Sequence, residues 1–161
     1  KIREPYIPRV GARVMSLSSP ENKMSKCDKD PNGTVYLLDR PEDIMRQFKK
    51  AVTDSDTERC VRFDVQSKPG VANLMSIYSA CTGKTFAQIE AEFEGKGYGA
   101  FKPAVGEAVV ETLRPIREET ERLLKDKAYL ESVYKAGAEK ASYIANKTLR
   151  KVYKKVGFVA K

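Results

Sequence analysis

From Pro103 onward the chain repeats apolar residues every three or four positions, and this periodicity limits the possible folds more than any other feature. One segment runs from about Pro103 to Asp126, with Val105, Val109, Leu113, Ile116 and Leu124 on one side. A second runs from about Tyr129 to Val156, where Leu130, Tyr134, Gly137, Ala141, Ile144, Thr148 and Val152 form a continuous seam. Only an α-helix gathers residues so spaced onto one stripe. Small residues in the seam permit close helix contact. The spacing therefore predicts two long helices in a bundle that covers the seam. Pro115 predicts a kink in the first helix. Glu118, Glu119, Glu121, Arg122 and Lys125 give that helix a charged exterior with i,i+3 and i,i+4 pairs.

Upstream, three shorter helices are expected. Asp39 reads as an N-cap, Pro41 falls in the first turn, and Glu42 and Asp43 suit its dipole. Ile44, Met45 and Phe48 would face inward and Arg46, Lys49 and Lys50 outward, with the polar stretch 53–57 ending the helix. After the break at Lys68-Pro69-Gly70, Val71, Leu74, Met75, Ile77, Tyr78 and Cys81 recur at helical spacing and Gly83 closes the segment. Thr85 opens a third helix with Phe86, Ile89 and Phe93 inward, followed by a glycine-rich turn, Glu94-Gly95-Lys96-Gly97-Tyr98-Gly99. Only Arg13-Val14-Met15-Ser16-Leu17 alternates like a strand. Residues 18–33 are polar and read as a long exposed loop, a length that is often functional in a compact protein. The fold class is thus mainly α: about five helices preceded by an orphan strand. An isolated strand is not stable in water, which predicts a larger α/β parent whose sheet lies upstream.

Composition removes several chemistries. Histidine is absent from the 161 residues, which excludes imidazole acid–base catalysis, Ser-His-Asp triads and His-ligated metals. Cys27, Cys60 and Cys81 form no CxxC pair, so neither a structural zinc site nor a disulfide framework is expected, and free thiols suit a reducing cytosol. No apolar run approaches a membrane span, and residues 1–13 do not form a targeting segment. The net charge is +8, with a pI of about 9.3, a balance that favours a polyanionic partner.

Two groups of residues suit such a partner. In the loop, Lys23-Met24-Ser25-Lys26-Cys27-Asp28 places two lysines three apart. Ammonium groups on a mobile loop can stabilise charge that develops on a leaving pyrophosphate. On spacing alone, two solvated surface lysines are the plainer reading. At the C-terminus, seven basic residues and no acid follow Glu139. At about 100° per residue, Lys140, Lys147, Lys151 and Lys154 fall within about 60° of one another, with Tyr143 at the edge. Cations can follow phosphates and the ring can stack on an unpaired base. A solvated face opposite the seam, or a basic helix end, is the plainer reading. Glu94 to Gly99 follows a helix and reads as a turn, not a phosphate cradle. Asp54 and Asp56 read as helix-terminating, Cys60 and Cys81 as ordinary part-buried side chains, and Phe86, Phe93 and Phe101 as core.

The segment Lys23-Met24-Ser25-Lys26-Cys27 closely resembles the KMSKS loop of class I aminoacyl-tRNA synthetases. Gly11-Ala12-Arg13-Val14-Met15-Ser16-Leu17 before it resembles the bacterial-type tryptophanyl-tRNA synthetase family. So, in the same order, do Ala51-Val52-Thr53-Asp54-Ser55, Lys68-Pro69-Gly70-Val71-Ala72-Asn73-Leu74, Glu94-Gly95-Lys96-Gly97-Tyr98-Gly99 and Glu111-Thr112-Leu113-Arg114-Pro115-Ile116. The resemblance implies the C-terminal half of such an enzyme. Residues 1–17 would be a strand remnant of the nucleotide-binding domain, 18–34 the KMSKS-like catalytic loop, and 35–161 a helical tRNA anticodon-binding domain.

The implied parent is cytoplasmic, activates tryptophan with ATP and Mg2+, and transfers it to tRNA(Trp). It would be a homodimer, largely through the half missing here, with no membrane association. Lys23 and Lys26 would contact ATP phosphates as the catalytic cations. Val14, Lys23, Met24, Ser25, Lys26 and Cys27 would form the ATP-binding set of this half: Met24 and Ser25 would shape the loop and offer backbone or hydroxyl contacts, and Val14 would lie against the adenine. Cys27 replaces the usual serine; a thiol bonds more weakly, so the loop would be modestly weakened and sensitised to thiol reagents. Lys140, Tyr143, Lys147, Lys151 and Lys154 would contact tRNA; the alternative for part of this last helix is docking on the nucleotide domain of the missing half. No metal site is expected in this half, and alone it should be inactive. The alternative is a free-standing helical RNA-binding module without catalysis.

Overall fold

The computed structural model describes residues 4–8, 10–56 and 61–159. It comprises five α-helices, with no sheet among the described residues: α1 (Pro41–Lys50), α2 (Pro69–Thr82), α3 (Phe86–Glu92), α4 (Tyr98–Lys125) and α5 (Lys127–Val156). The chain divides into two compact units, Lys1–Arg117 and Glu118–Lys161. The mainly helical class and the five helices are as expected from the sequence.

The first unit holds the core. Ile44 and Phe48 of α1, Val71, Leu74 and Met75 of α2, Ile89 of α3, and Phe101 and Val105 of α4 are all buried. Leu17, from the extended segment before the loop, joins the same cluster. Tyr78, Phe93 and Phe101 meet edge to face, with centroids 5.0–6.4 Å apart, the arrangement their quadrupoles favour. α2 is apolar on nearly every side and lies centrally, its last turn closed by Gly83 at φ 74°. Thr85 caps α3 in a reciprocal box with Gln88.

Several expectations are corrected. The N-cap of α1 is Arg40, not Asp39. The Asp39 carboxylate instead accepts the Tyr36 N–H at 2.8 Å, while the Asp39 N–H donates to Tyr36 O. The turn before the helix therefore takes the group that would have capped it. α1 ends at Lys50, so the polar stretch after it does not terminate it; Thr57 lies outside the described residues. α4 begins at Tyr98, ahead of Pro103, and runs through both Pro103 and Pro115. Complete burial of Phe101 outweighs the hydrogen bond a proline removes near a helix start.

The larger correction concerns the seam. No residue of α5 is buried. Tyr134 is 62%, Ile144 58% and Val152 48% exposed, and Ile116 and Leu124 of α4 are exposed as well. Periodicity identifies a face able to bury; it does not supply the surface that covers it.

The strand-like run contributes only one β-bridge, Met15 opposite Lys23. Several of its backbone groups are nonetheless bonded. The Ser16 N–H donates to Asn22 O at 2.8 Å, Leu17 N–H to Gly33 O at 3.0 Å, and Val52 N–H to Leu17 O at 2.8 Å. Loop and side-chain partners replace the neighbouring strand that alternation predicts.

Candidate active-site loop and basic helix face

Residues 18–34 hold themselves together through short turns. Asp28 Oδ1 accepts the Asp30 N–H at 3.1 Å, and Asp30 Oδ1 accepts from the Asn32 backbone and side-chain N–H groups at 2.9 and 3.0 Å. Hydrogen bonds from the Ser18 hydroxyl and then from Asn32 keep the Asp30 carboxyl below its ordinary range. Gly33 is buried, and a Cβ there would collide with Ser16 Oγ.

This scaffold presents the five KMSKC residues in two directions. Met24 turns inward and, like Val14, packs on the core; its N–H donates to Val14 O at 3.0 Å. Lys23, Ser25, Lys26 and Cys27 are exposed. Ser25 Oγ accepts the Cys27 N–H at 3.2 Å. Ser25 O accepts from Thr34 Oγ1 at 2.9 Å, and Lys26 O from the Tyr36 hydroxyl at 3.3 Å. Thus the backbone around the two lysines is tied down while both ammonium groups stay at the surface. None of the ion pairs among the described residues engages Lys23 or Lys26. The arrangement offers two cations to a polyanion at low ordering cost. The Val14 side chain is half-buried beside this stem. Cys27 is a free thiol that enters the loop's bonding through its backbone N–H.

Lys140, Tyr143, Lys147, Lys151 and Lys154 all lie on α5 and are all exposed. The expected stripe is therefore accessible. It belongs to the second unit, whereas the loop belongs to the first.

Three buried polar residues escaped the sequence reading. Lys68, the N-cap of α2, is only 5% exposed and bonds Asp56 at 2.8 Å and Asp54 at 3.0 Å. The Tyr98 hydroxyl donates to Asp54 Oδ1 at 2.7 Å. The two aspartates thus grip a buried lysine; they do not end a helix. Burial pushes the Lys68 ammonium down, but hydrogen bonds to Asp56, Asp54 and Tyr98 outweigh it and raise it above the usual lysine range. Burial also pushes Asp54 up, and bonds from Tyr98, the Asp56 backbone and Lys68 bring it below its ordinary value. Gln47 and Asn73 are the other two, both bonded to the loop's stem. A lysine next to Pro-Gly and an asparagine inside an apolar helix start were the available signals.

Other candidates resolve simply. The glycine-rich segment is the α3–α4 turn, with Gly95 at φ 71°. Phe93 and Phe101 are core; Phe86 is half-buried and stacks on Phe63 at 3.9 Å. Cys81 is half-buried, and Cys60 lies outside the described residues. Among the described residues, no group of three or more Cys, Asp or Glu could hold a metal ion, and no helix is long and apolar enough to cross a membrane.

Residues 2–114 match the family model described as tRNA synthetases class I (W and Y), and the chain belongs to that family. Within it the similarity is to the tryptophan branch. The chain is 48% identical over 159 residues to the tryptophan–tRNA ligase of Clostridium tetani, covering 99% of this chain and 46% of that protein. The tryptophanyl-tRNA synthetase structure from Mycoplasma pneumoniae superposes with a TM-score of 0.71 at 30% identity, over 94% of this chain and 45% of that one. The Campylobacter jejuni enzyme in complex with ADP and tryptophan gives 0.73 at 26% identity, over 91% and 44%. The chain therefore spans about half the length of the relatives it matches.

Proposed function

We propose that this chain is the C-terminal part of a tryptophan–tRNA ligase, an enzyme that activates tryptophan with ATP and passes it to tRNA(Trp). The observation that carries this reading is the KMSKC loop: two exposed lysines on a bonded stem, in a chain 48% identical to such a ligase. Residues 18–34 act as the catalytic loop and the segment before it as the edge of the nucleotide site. Val14 borders the adenine. Lys23 and Lys26 draw the ATP phosphates and offset the negative charge that builds on the departing pyrophosphate. Ser25 and the backbone around Cys27 shape the loop. Residues 35–161 form the tRNA-binding part, with the α5 stripe against phosphates and Tyr143 beside an unpaired base.

Magnesium accompanies ATP in such enzymes, but this part of the chain does not suit it. Oδ1 of Asp28 and Oδ1 of Asp30 already accept loop N–H groups, and among the described residues the loop's carboxylates do not gather into a group that could hold a metal ion. No step here runs through a metal. The parent is cytoplasmic and homodimeric in this reading, and the chain alone does not form adenylate.

The test is tryptophan-dependent ATP–pyrophosphate exchange by the full-length protein. Lys23→Ala and Lys26→Ala are each expected to lower the rate by about 10²-fold or more, the effect of removing a charge-stabilising group from a transition state. A folded parent that does not exchange, or exchange untouched by both substitutions, overturns the reading in favour of an RNA-binding module without catalysis.

A further inference from the structure

Two buried side-chain amides hold the stem of the lysine loop from outside it. Asn73, near the start of α2, is 5% exposed. Its Oδ1 accepts the Met15 N–H at 2.9 Å, and its Nδ2 donates to Met15 O at 2.9 Å. These are the two bonds that a paired residue on a neighbouring antiparallel strand would make. On its other edge, Met15 stands opposite Lys23 in the bridge. The bridge is closed by Ser16 N–H to Asn22 O and Met24 N–H to Val14 O. One residue, Met15, therefore separates the Asn73 amide from the first lysine.

Gln47 makes the second link. It lies on α1 and is 8% exposed. Its Nε2 donates to Pro31 O and to Thr34 O, both at 3.0 Å. Thr34 Oγ1 then donates to Ser25 O, the residue next to Lys26. The partners fix both amide orientations: carbonyls require the NH2 side, and the Met15 N–H requires the oxygen. An amide in the core is costly unless bonded, and here every donated bond goes to loop-stem backbone.

We infer that Asn73 and Gln47 are positioning residues for Lys23 and Lys26, tying the entry and exit of the loop to two different helices. The inference rests on the proposed role of those lysines. A displacement of about 1 Å in a group that must meet developing charge can cost up to about 10² in rate. The amides thus act through the lysines and touch no substrate.

The experiment uses the full-length protein, with Asn73→Ala, Gln47→Met and Lys23→Ala made singly and Asn73→Ala combined with Lys23→Ala. Pyrophosphate exchange and amide hydrogen exchange at Ser16 and Met24 are the readouts. Each amide variant is expected to lower kcat about tenfold, leave the KM for tryptophan unchanged, and speed amide exchange at Ser16 and Met24. The double variant should be no slower than Lys23→Ala alone, because a missing cation needs no positioning. Losses that multiply in the double variant, or a wild-type kcat in folded Asn73→Ala and Gln47→Met, overturn the inference. If Lys23→Ala itself retains full activity, the reading of the loop fails, and unchanged amide exchange at Ser16 and Met24 then overturns the clamp separately. Should Asn73→Ala not fold, Gln47→Met combined with Lys26→Ala carries the same test, since Gln47 reaches the loop beside Lys26.

Discussion

Lys68 is the residue whose surroundings differ most from what its type suggests. An ammonium group at the start of an apolar helix is stable there because two carboxylates and a phenol complete its shell. Lys68→Met leaves Asp54 and Asp56 facing each other without a cation. Because both carboxylates keep some solvent, the expected loss is about 2–3 kcal/mol, at or below the low end for a broken buried pair, measurable by urea titration. The pH dependence follows from the signs. The folded Asp54 pKa lies below its unfolded value of 3.8, so its contribution is present above that pH and is lost as pH falls through the folded value. Lys68 and Tyr98 are raised above 10.5 and 10.0, so theirs is complete below about pH 10 and is lost as pH rises through the folded values. With no histidine in the chain, stability is expected to be flat between about pH 5 and 8, and Lys68→Met should lower that plateau.

At the scale of elements, α2 and α4 each carry a glycine in close contact, and the neighbours decide its role. A Cβ at Gly70 would run into the backbone carbonyl of Val52, which cannot swing away. Gly70→Ala should therefore destabilise by about 1–3 kcal/mol despite the better helix propensity. At Gly106 the nearest atom is Met45 Sδ, 2.9 Å from where an alanine methyl would sit. A thioether on three rotatable bonds can yield, so Gly106→Ala should be within about 1 kcal/mol of neutral. Thermal melts of the two variants side by side check both statements. α5 raises a different question, because its basic stripe and apolar seam are both open to solvent. Changing Lys140, Lys147, Lys151 and Lys154 to Gln should weaken tRNA binding by the full-length protein. It should also flatten the log-affinity versus log-salt slope by about one for each phosphate contact removed. An unchanged slope in filter-binding titrations would assign the stripe to solvent.

For the whole molecule, buried area is distributed unequally. Among the described residues, every buried hydrophobic side chain belongs to Lys1–Arg117, so Glu118–Lys161 adds helix without adding core. Sequence determined the helix count, the lysine loop, the cap of α3, the turn after it and the family, because those depend on residue type and local spacing. Where Asp39 points, how Asp54 and Asp56 are used, and how Met15 is satisfied without a strand depended on groups distant in sequence. Asn73 lies 58 positions from Met15, and Lys68 lies 14 from Asp54. No local pattern encodes such pairings, since they form only when folding brings two buried polar groups together and the cost of leaving either unbonded selects the partner. The α5 seam gives the converse case: periodicity specified an apolar face, and only the tertiary structure could say that this chain leaves it open.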